Sequence, residues 1–292
     1  MSIRSKFATR RFVADAVAQI AAIVVVAIFL IPIFWMVTSS FKLPKDILVI
    51  PPKWIFKPTL DNYLVVFFGK QTVAGTTFPE VEGFGRSLLN SVVISVGSTA
   101  IAMLIGLPVA YAMSRFRFNG KNLLAFFVLS IRMAPEIAVL IPFYILFSKF
   151  YLLDTYPALL IIYVTFNVSF VIWMMRGFFR DVPSELEDSA RVDGCSRYGA
   201  LFRITLPLAA PGMVATAIFV LLLAWNEFLF ALVLTGQVTK TAPVAIYGFV
   251  SFHEVIWGSL FAAGTMITLP VLIFTLLVQR NLVRGLTMGA VK

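Results

Sequence analysis

SELEDSARVDGCSRYGALFRITLPLAAP, residues 184–211, is a charged, helix-prone segment set between two long apolar runs. A chain that crosses a membrane ordinarily joins such runs with a simple loop, so a folded polar insert implies a surface offered to a partner. Pro183 precedes Ser184, whose hydroxyl is placed to cap a helix while Glu187, three residues on, reaches back as a capping box. Glu185, Glu187 and Asp188 put negative charge at the positive end of the helix dipole. Gly194 supplies the left-handed residue that ends the helix. Ser196 then caps a second short helix carrying Tyr198, Leu201 and Phe202, and Pro207 opens the next apolar run. The expected shape is two short helices meeting at Gly194, with Leu186 and Ala190 on one face and an aromatic ridge on the other. A plain surface hairpin of helices satisfies the same pattern.

Outward from this insert the chain is apolar. Its 292 residues are 60% hydrophobic and 13% charged, with mean hydropathy +0.94, too much apolar surface for a soluble core, so the solvent is lipid. Runs long enough to cross a hydrocarbon layer of ~30 Å, roughly 20 residues each, fall near Ala14–Thr38, Ser87–Met113, Leu123–Ser148, Pro157–Phe178, Leu206–Thr235 and Leu260–Val283. Each is expected to be helical, because a spanning segment must satisfy its own backbone and none alternates as a barrel strand does. The first run is too long for a cleavable signal and reads as a retained anchor.

Orientation follows from lysine and arginine. Arg4, Lys6, Arg10 and Arg11, then Arg115, Arg117 and Lys121, then the five arginines from Arg176 to Arg203, and finally Arg280, Arg284 and Lys292 all fall on one side. That side is expected to be the cytoplasm, with both termini in it. The same placement accounts for the net charge of +10 without nucleic acid, since the cations flank helices rather than form a dense run. Cys195 is the one cysteine and His253 the one histidine, so a Cys/His metal site and an internal disulfide are not expected. No phosphate-cradling G-x-x-x-x-G-K-[ST] occurs: Gly69-Lys70 is followed by Gln71, and Gly120-Lys121 by Asn122. His253 reads as a loop residue, and the chain offers no Ser/His/Asp arrangement.

The long segment from Ser39 to Arg86 interleaves Pro44, Pro51, Pro52, Pro58 and Pro79 with Trp54, Phe56, Tyr63, Phe67 and Phe68. It reads as an ordered cap, either a docking surface for an extracytoplasmic partner or a lid packed over the helices. Within the second run Ser98, Ala102, Gly106, Ala110 and Ser114 recur at every fourth position, a smooth stripe for close helix packing. Pro108, Pro135, Pro142 and Pro270 are places for kinks. Ionisable groups inside a membrane point to a pathway: Arg132 and Glu136, four apart and expected on one helix face, with Asn167, Trp225, Asn226 and Glu227 adding amide, indole and carboxylate. Such a set suits a sugar, whose ring has an apolar face and hydroxyl edges.

E-L-E-D-S-A-R-V-D-G followed by I-T-L-P-L-A-A-P resembles the cytoplasmic coupling loop, the EAA motif, of binding-protein-dependent ABC importer permeases. The resemblance extends through S-L-L-N-S-V-V-I at 87–94, L-L-D-T-Y at 152–156, A-W-N-E-F-L-F-A at 224–231 and L-V-R-G-L-T-M-G-A-V-K at 282–292, and together these are similar to maltose-type permeases for sugars. Where such permeases commonly read Glu-Ala-Ala, this chain has Asp188-Ser189-Ala190. The resemblance implies an all-α membrane protein of the type I importer architecture, with six transmembrane helices. It implies an L-shaped loop that sits in a cleft of a cytoplasmic ATPase and moves as a rigid body when two ATPases close around ATP and Mg, none of it bound by this chain. Glu185, Asp188, Ala190, Asp193 and Gly194 map onto the first half of the motif, and Leu201, Phe202 and Pro207 onto the second. The tail from Gly285 to Lys292 resembles one that reaches into the ATPase dimer. Implied partners are a second homologous permease subunit, two ATP-binding subunits, an extracytoplasmic solute-binding protein and a carbohydrate solute, in a bacterial cytoplasmic membrane. Expected divisions are a cytoplasmic N-terminus 1–13, a first span 14–38, an outer loop 39–83, a permease core 84–281 containing the loop 184–206, and a tail 282–292. Two other classes fit the residues alone: a gradient-driven transporter with Glu136 or Glu227 as proton site, and a membrane scaffold that transports nothing.

Overall fold

The computed structural model describes residues 3–69, 72–73, 76–77, 83–250 and 255–288, with side chains described at 15–69, 83–250 and 255–277. His253 and the end of the tail, 289–292, lie outside the described residues. Among the described residues four helices are long and apolar enough to cross a membrane, and two further pairs pass only as bent units, so the count is up to six when each bent pair is one span.

Two units make up the chain. The first holds α1 (Ile3–Ser40), α2 (Pro44–Ile47), α3 (Asp61–Phe68), a two-stranded antiparallel hairpin of β1 (Thr72–Val73) and β2 (Thr76–Thr77), and residues 249–266. From Val17 to Leu30 the large apolar side chains of α1 are more than half exposed, as expected of a helix whose solvent is lipid. The segment after it is ordered by polar contacts. Asn62 is buried and donates to the carbonyls of Ser40 and Lys42, at 2.8 Å each, and the Ser40 hydroxyl meets that of Tyr63 at 2.7 Å. Lys42 is buried with Nζ 4.3 Å from the Trp35 ring and 5.1 Å from that of Phe56, a cation held over aromatic faces. Burial lowers its pKa, against a smaller upward pull from Asp46. Gly258 packs against Asn62 where any Cβ would collide.

The second unit is built on α4 (Phe84–Arg115) and α7 (Tyr156–Asp181), against which α11 (Ala210–Trp225) packs. The small-residue stripe explains the pairing. Ser98, Ala102, Gly106 and Ala110 are buried, and a Cβ added at Gly106 would lie 2.6 Å from Val171 Cγ1, so the two backbones approach as closely as glycine permits.

Two expected spans are not straight. The third consists of α5 (Lys121–Met133) and α6 (Glu136–Lys149), bent by 88°. Pro135 is the cause: it forces Ala134 out of the helical region, to φ −63° and ψ 133°, and has no N–H to carry the ladder on. Arg132 and Glu136 therefore end one helix and begin another rather than sharing a face, and no ion pair joins them among the described residues. The fifth expected run is likewise divided. A 76° bend separates the helical turns before Leu208 from α11, and the chain breaks again at 226–228 before α12 (Leu229–Leu234).

At the N-terminal end of α7 a polar clasp ties three segments. Asp154, at φ +56°, accepts from the amides of Val238 at 3.0 Å and Thr239 at 2.9 Å and from the Thr239 hydroxyl at 2.8 Å. Burial pushes the Asp154 carboxyl up, but these donors and the Gly236 amide outweigh it and hold the pKa at about 2. Asn90 donates to the carbonyls of Val238 and Lys240, at 3.0 and 2.9 Å, and accepts from the Tyr156 hydroxyl at 2.6 Å.

Candidate functional site

At the other end of α7 the 184–208 insert forms α8 (Ser184–Val192), α9 (Arg197–Ala200), one π-helical turn at Leu201–Thr205 and α10 (Leu206–Leu208). Gly194 lies between α8 and α9 at φ +87°, and a Cβ there would meet nothing within 4 Å. Its requirement is purely conformational, since the left-handed region is costly for other residues. Ser196 caps α9 as expected, accepting from the Gly199 amide at 3.1 Å.

The capping box at the start of α8 does not form. Pro183 occupies the N-cap, and no side chain caps there. Glu187 instead turns inward, 7% exposed, and accepts from Tyr111 Oη at 2.8 Å, Arg115 Nε at 2.7 Å and Thr205 Oγ1 at 2.6 Å. Arg115 also donates to the Val182 carbonyl at 2.8 Å. Three strong donors satisfy a carboxylate better than one backbone amide at a helix end, and that competition defeats the box. Burial pushes the Glu187 carboxyl up, while bonds from Thr205, Tyr111 and Arg115 and the charge of Arg115 bring it below the usual glutamate value. One residue thus ties α8 to α4 and to the π turn.

The remaining insert residues divide by exposure. Leu201 is buried, packed with Tyr111, Phe179 and Val182, and anchors the loop from within. Leu186, Val192, Tyr198 and Phe202 are 44%, 87%, 79% and 66% exposed, an apolar surface on a polar segment. Glu185, Asp188, Asp193 and Pro207 are exposed, and Ala190 is half-buried. Asp188 pairs with Arg191 at 3.3 Å.

In the membrane portion of this unit a cavity of about 460 Å³ is lined by Arg132, Glu136, Asn167, Asn226 and Glu227, five of the six residues singled out as pathway candidates, with Tyr163 and several phenylalanines. Trp225 is not among them. It is 2% exposed and donates through Nε1 to the Ile267 carbonyl at 3.2 Å, a packing residue. The aromatic surface comes instead from Phe166, Phe219, Phe228 and Phe230, with Phe228 stacked on Tyr247 at 5.1 Å. Glu227 accepts from the Tyr163 hydroxyl at 2.5 Å and from the amides of Phe230 and Ala231 at 2.7 and 3.1 Å, so it holds the start of α12 where α11 has broken. Asn226 donates to the Leu222 carbonyl at 2.8 Å. Half-buried Arg132 and exposed Glu136 both line the cavity, one on each side of the proline break.

The roles of Tyr111, Arg115, Tyr163, Asn90 and Asp154 depend on contacts 60 to 150 residues apart, which no local pattern announces. Asn90 and Asp154 do lie inside segments quoted for their resemblance to permeases, and the clasp gives those segments a physical reason.

Residues 102–288 match the family described as "Binding-protein-dependent transport system inner membrane component". The chain is 38% identical to the trehalose transport system permease protein SugB of Mycobacterium tuberculosis, over 89% of this chain and 97% of that one. It is 36% identical to the trehalose/maltose transport system permease protein MalG of Thermococcus litoralis, over 94% and 95%. The fold is shared with a chain of a bacterial ABC transporter involved in the import of the acidic polysaccharide alginate, with TM-score 0.70 and 22% identity over 91% of this chain and 97% of that one.

Proposed function

Since the chain belongs to the family of binding-protein-dependent transport system inner membrane components, we propose that it is the permease subunit of an ATP-driven importer carrying a sugar or related carbohydrate into the cytoplasm. One observation carries the coupling role: the insert is rooted in the helix bundle through Glu187 while Leu186, Val192, Tyr198 and Phe202 face outward. An apolar surface on a rigid, charged loop suits a cleft of an ATP-binding subunit. Two such subunits, binding ATP and Mg themselves, close and push the loop. The push passes through Glu187 to Arg115 and Tyr111 on α4 and shifts the cavity between inward and outward access. A second homologous permease completes the pathway, and an extracytoplasmic solute-binding protein delivers the solute.

The names of relatives that carry trehalose and maltose support the carbohydrate class, as does a cavity that joins phenylalanine faces to amide, guanidinium and carboxylate groups. The loop side is the cytoplasmic side of a bacterial inner membrane, with both termini there. Residues 84–281 are the permease core, 184–206 its coupling loop, and 282–292 a tail toward the ATPases.

Substituting Gly194→Val tests the coupling role. A β-branched residue at φ +87° costs on the order of 1–2 kcal/mol of backbone strain, and with open space around the Cβ nothing else is disturbed. Solute-stimulated ATP hydrolysis by the reconstituted complex is expected to fall while the chain still inserts. Unchanged hydrolysis and uptake would overturn the coupling role.

A further inference from the structure

The loop-side end of α7 carries a groove of about 440 Å³ lined by Trp173, Met174, Arg176, Phe178, Arg180 and Asp181 among others. The Nε of Arg176 is buried there with no hydrogen-bond partner. Arg117 and Lys121, at the turn into α5, add to the same cluster, and the charges of Arg176, Arg180 and Arg117 all bear on Lys121. None of these four cations is in an ion pair among the described residues. Among the described residues Asp181 is the one carboxylate lining the groove. Four like charges gathered at one end of a helix pair repel one another, and a buried guanidinium nitrogen without an acceptor is costly. An anion in the groove would offset this repulsion.

Position and surroundings decide which anion. Arg176 lies five residues before the end of α7, roughly 7 Å inside it at 1.5 Å per residue, the depth of a headgroup rather than of open water. Trp173 is 56% exposed beside it, where indole rings anchor at the membrane interface. The groove is walled by Trp173, Met174 and Phe178 as well as by arginine, so an acyl glycerol backbone fits beside the charge. Guanidinium groups bind phosphate oxygens in pairs.

We propose that this groove binds the phosphate of an anionic phospholipid, with Arg176 and Arg180 as its direct contacts and Arg117 and Lys121 as supporting charges. Assigning that lipid to the cytoplasmic leaflet rests on the transporter reading above; the binding itself does not.

The test uses the full chain with its co-purifying subunits, exchanged into nanodiscs of equal phosphatidylglycerol and phosphatidylcholine, with retained lipid counted by native mass spectrometry. Wild type is expected to retain phosphatidylglycerol selectively. In Arg176→Gln/Arg180→Gln the selectivity should fall roughly 30-fold, from the loss of two cations near a charged surface. Arg117→Gln/Lys121→Gln changes a surface turn and tests the same cluster without disturbing a packed helix, with a smaller loss expected. Selectivity that survives in both variants would overturn the proposal. So would inorganic phosphate binding as well as the lipid does, which would assign the groove to a soluble anion. Loss of a subunit in the variants with lipid retention unchanged would assign the cations to a protein partner and equally overturn it. A complex with its ATP-binding subunits that holds no phosphatidylglycerol defeats this inference alone. A chain that holds the lipid but recruits no ATP-binding subunit supports it while defeating the transporter reading.

Discussion

A carboxylate organises each end of α7, and the two are held by different chemistry. Glu187, beyond the C-terminal end, is bonded by three side chains, one of them the cation Arg115. Asp154, before the N-terminal end, is bonded by backbone amides and one hydroxyl, and no arginine or lysine pairs with it among the described residues. Side-chain bonds let two helices turn about each other while the contacts persist. Amide bonds fix a carboxylate to a particular backbone shape. The difference suits the proposed coupling role, in which the loop end transmits movement and the other end stays clasped.

From that contrast, removing the loop-end carboxylate is expected to have the larger effect. Glu187→Ala leaves Arg115 without its ion pair and strands Tyr111 and Thr205, each bonded to it. Breaking a buried pair from one side costs about 3–5 kcal/mol. Denaturant unfolding of the purified chain in detergent should show that loss, and the ATP-binding subunits should no longer co-purify. Glu187→Gln keeps the shape but leaves Arg115 unneutralised, so it should recover little. A glutamine variant that behaves as wild type would break the comparison, because the cation would then be idle.

Asp154→Ala comes next, with an expected loss of about 2 kcal/mol from amides left without an acceptor. Here the conservative change should help: Asp154→Asn still offers one carbonyl oxygen to the amides of Val238 and Thr239. Recovery of about half the loss is expected from retaining one acceptor of two. The two glutamine and asparagine rescues, measured side by side, sharpen the distinction between a bond that needs charge and a bond that needs geometry.

The same division governs what was legible in the sequence. Gly194, Ser196 and the order of α8 and α9 are local matters of φ, capping and dipole, and they stand where the pattern puts them. The small-residue stripe on α4 was readable because its period is that of the helix. Glu187 reads locally as a cap because nothing in residues 184–187 reveals that Tyr111, Arg115 and Thr205 converge on it. Trp225 escapes local reading for a similar reason: its neighbours Asn226 and Glu227 line the cavity, but Trp225 ends α11 and its indole donates to the Ile267 carbonyl. The bend at Pro135 was anticipated as a kink, yet its size of 88° is what separates Arg132 from Glu136 along the chain's faces and still leaves both lining one cavity.

Acid offers the mildest perturbation and the finest separation. Both carboxylates have pKa values below their unfolded ones, Asp154 at about 2 and Glu187 below the usual glutamate value. A group of this kind contributes its full stabilisation above the unfolded pKa, roughly 4 for a carboxyl, and loses it as pH falls through the folded value. Wild type should therefore be indifferent to pH from neutrality down to about 4 on account of these two groups. Below that, the stability gap between wild type and Asp154→Asn should close as the pH approaches about 2, because the asparagine variant has no carboxyl there to titrate. The gap between wild type and Glu187→Gln should close as well, because a protonated Glu187 no longer neutralises Arg115. A gap for Asp154→Asn that stays constant through this range would mean that the clasp draws nothing from the carboxylate's charge, and that the amides would be as well served by any oxygen in the same place.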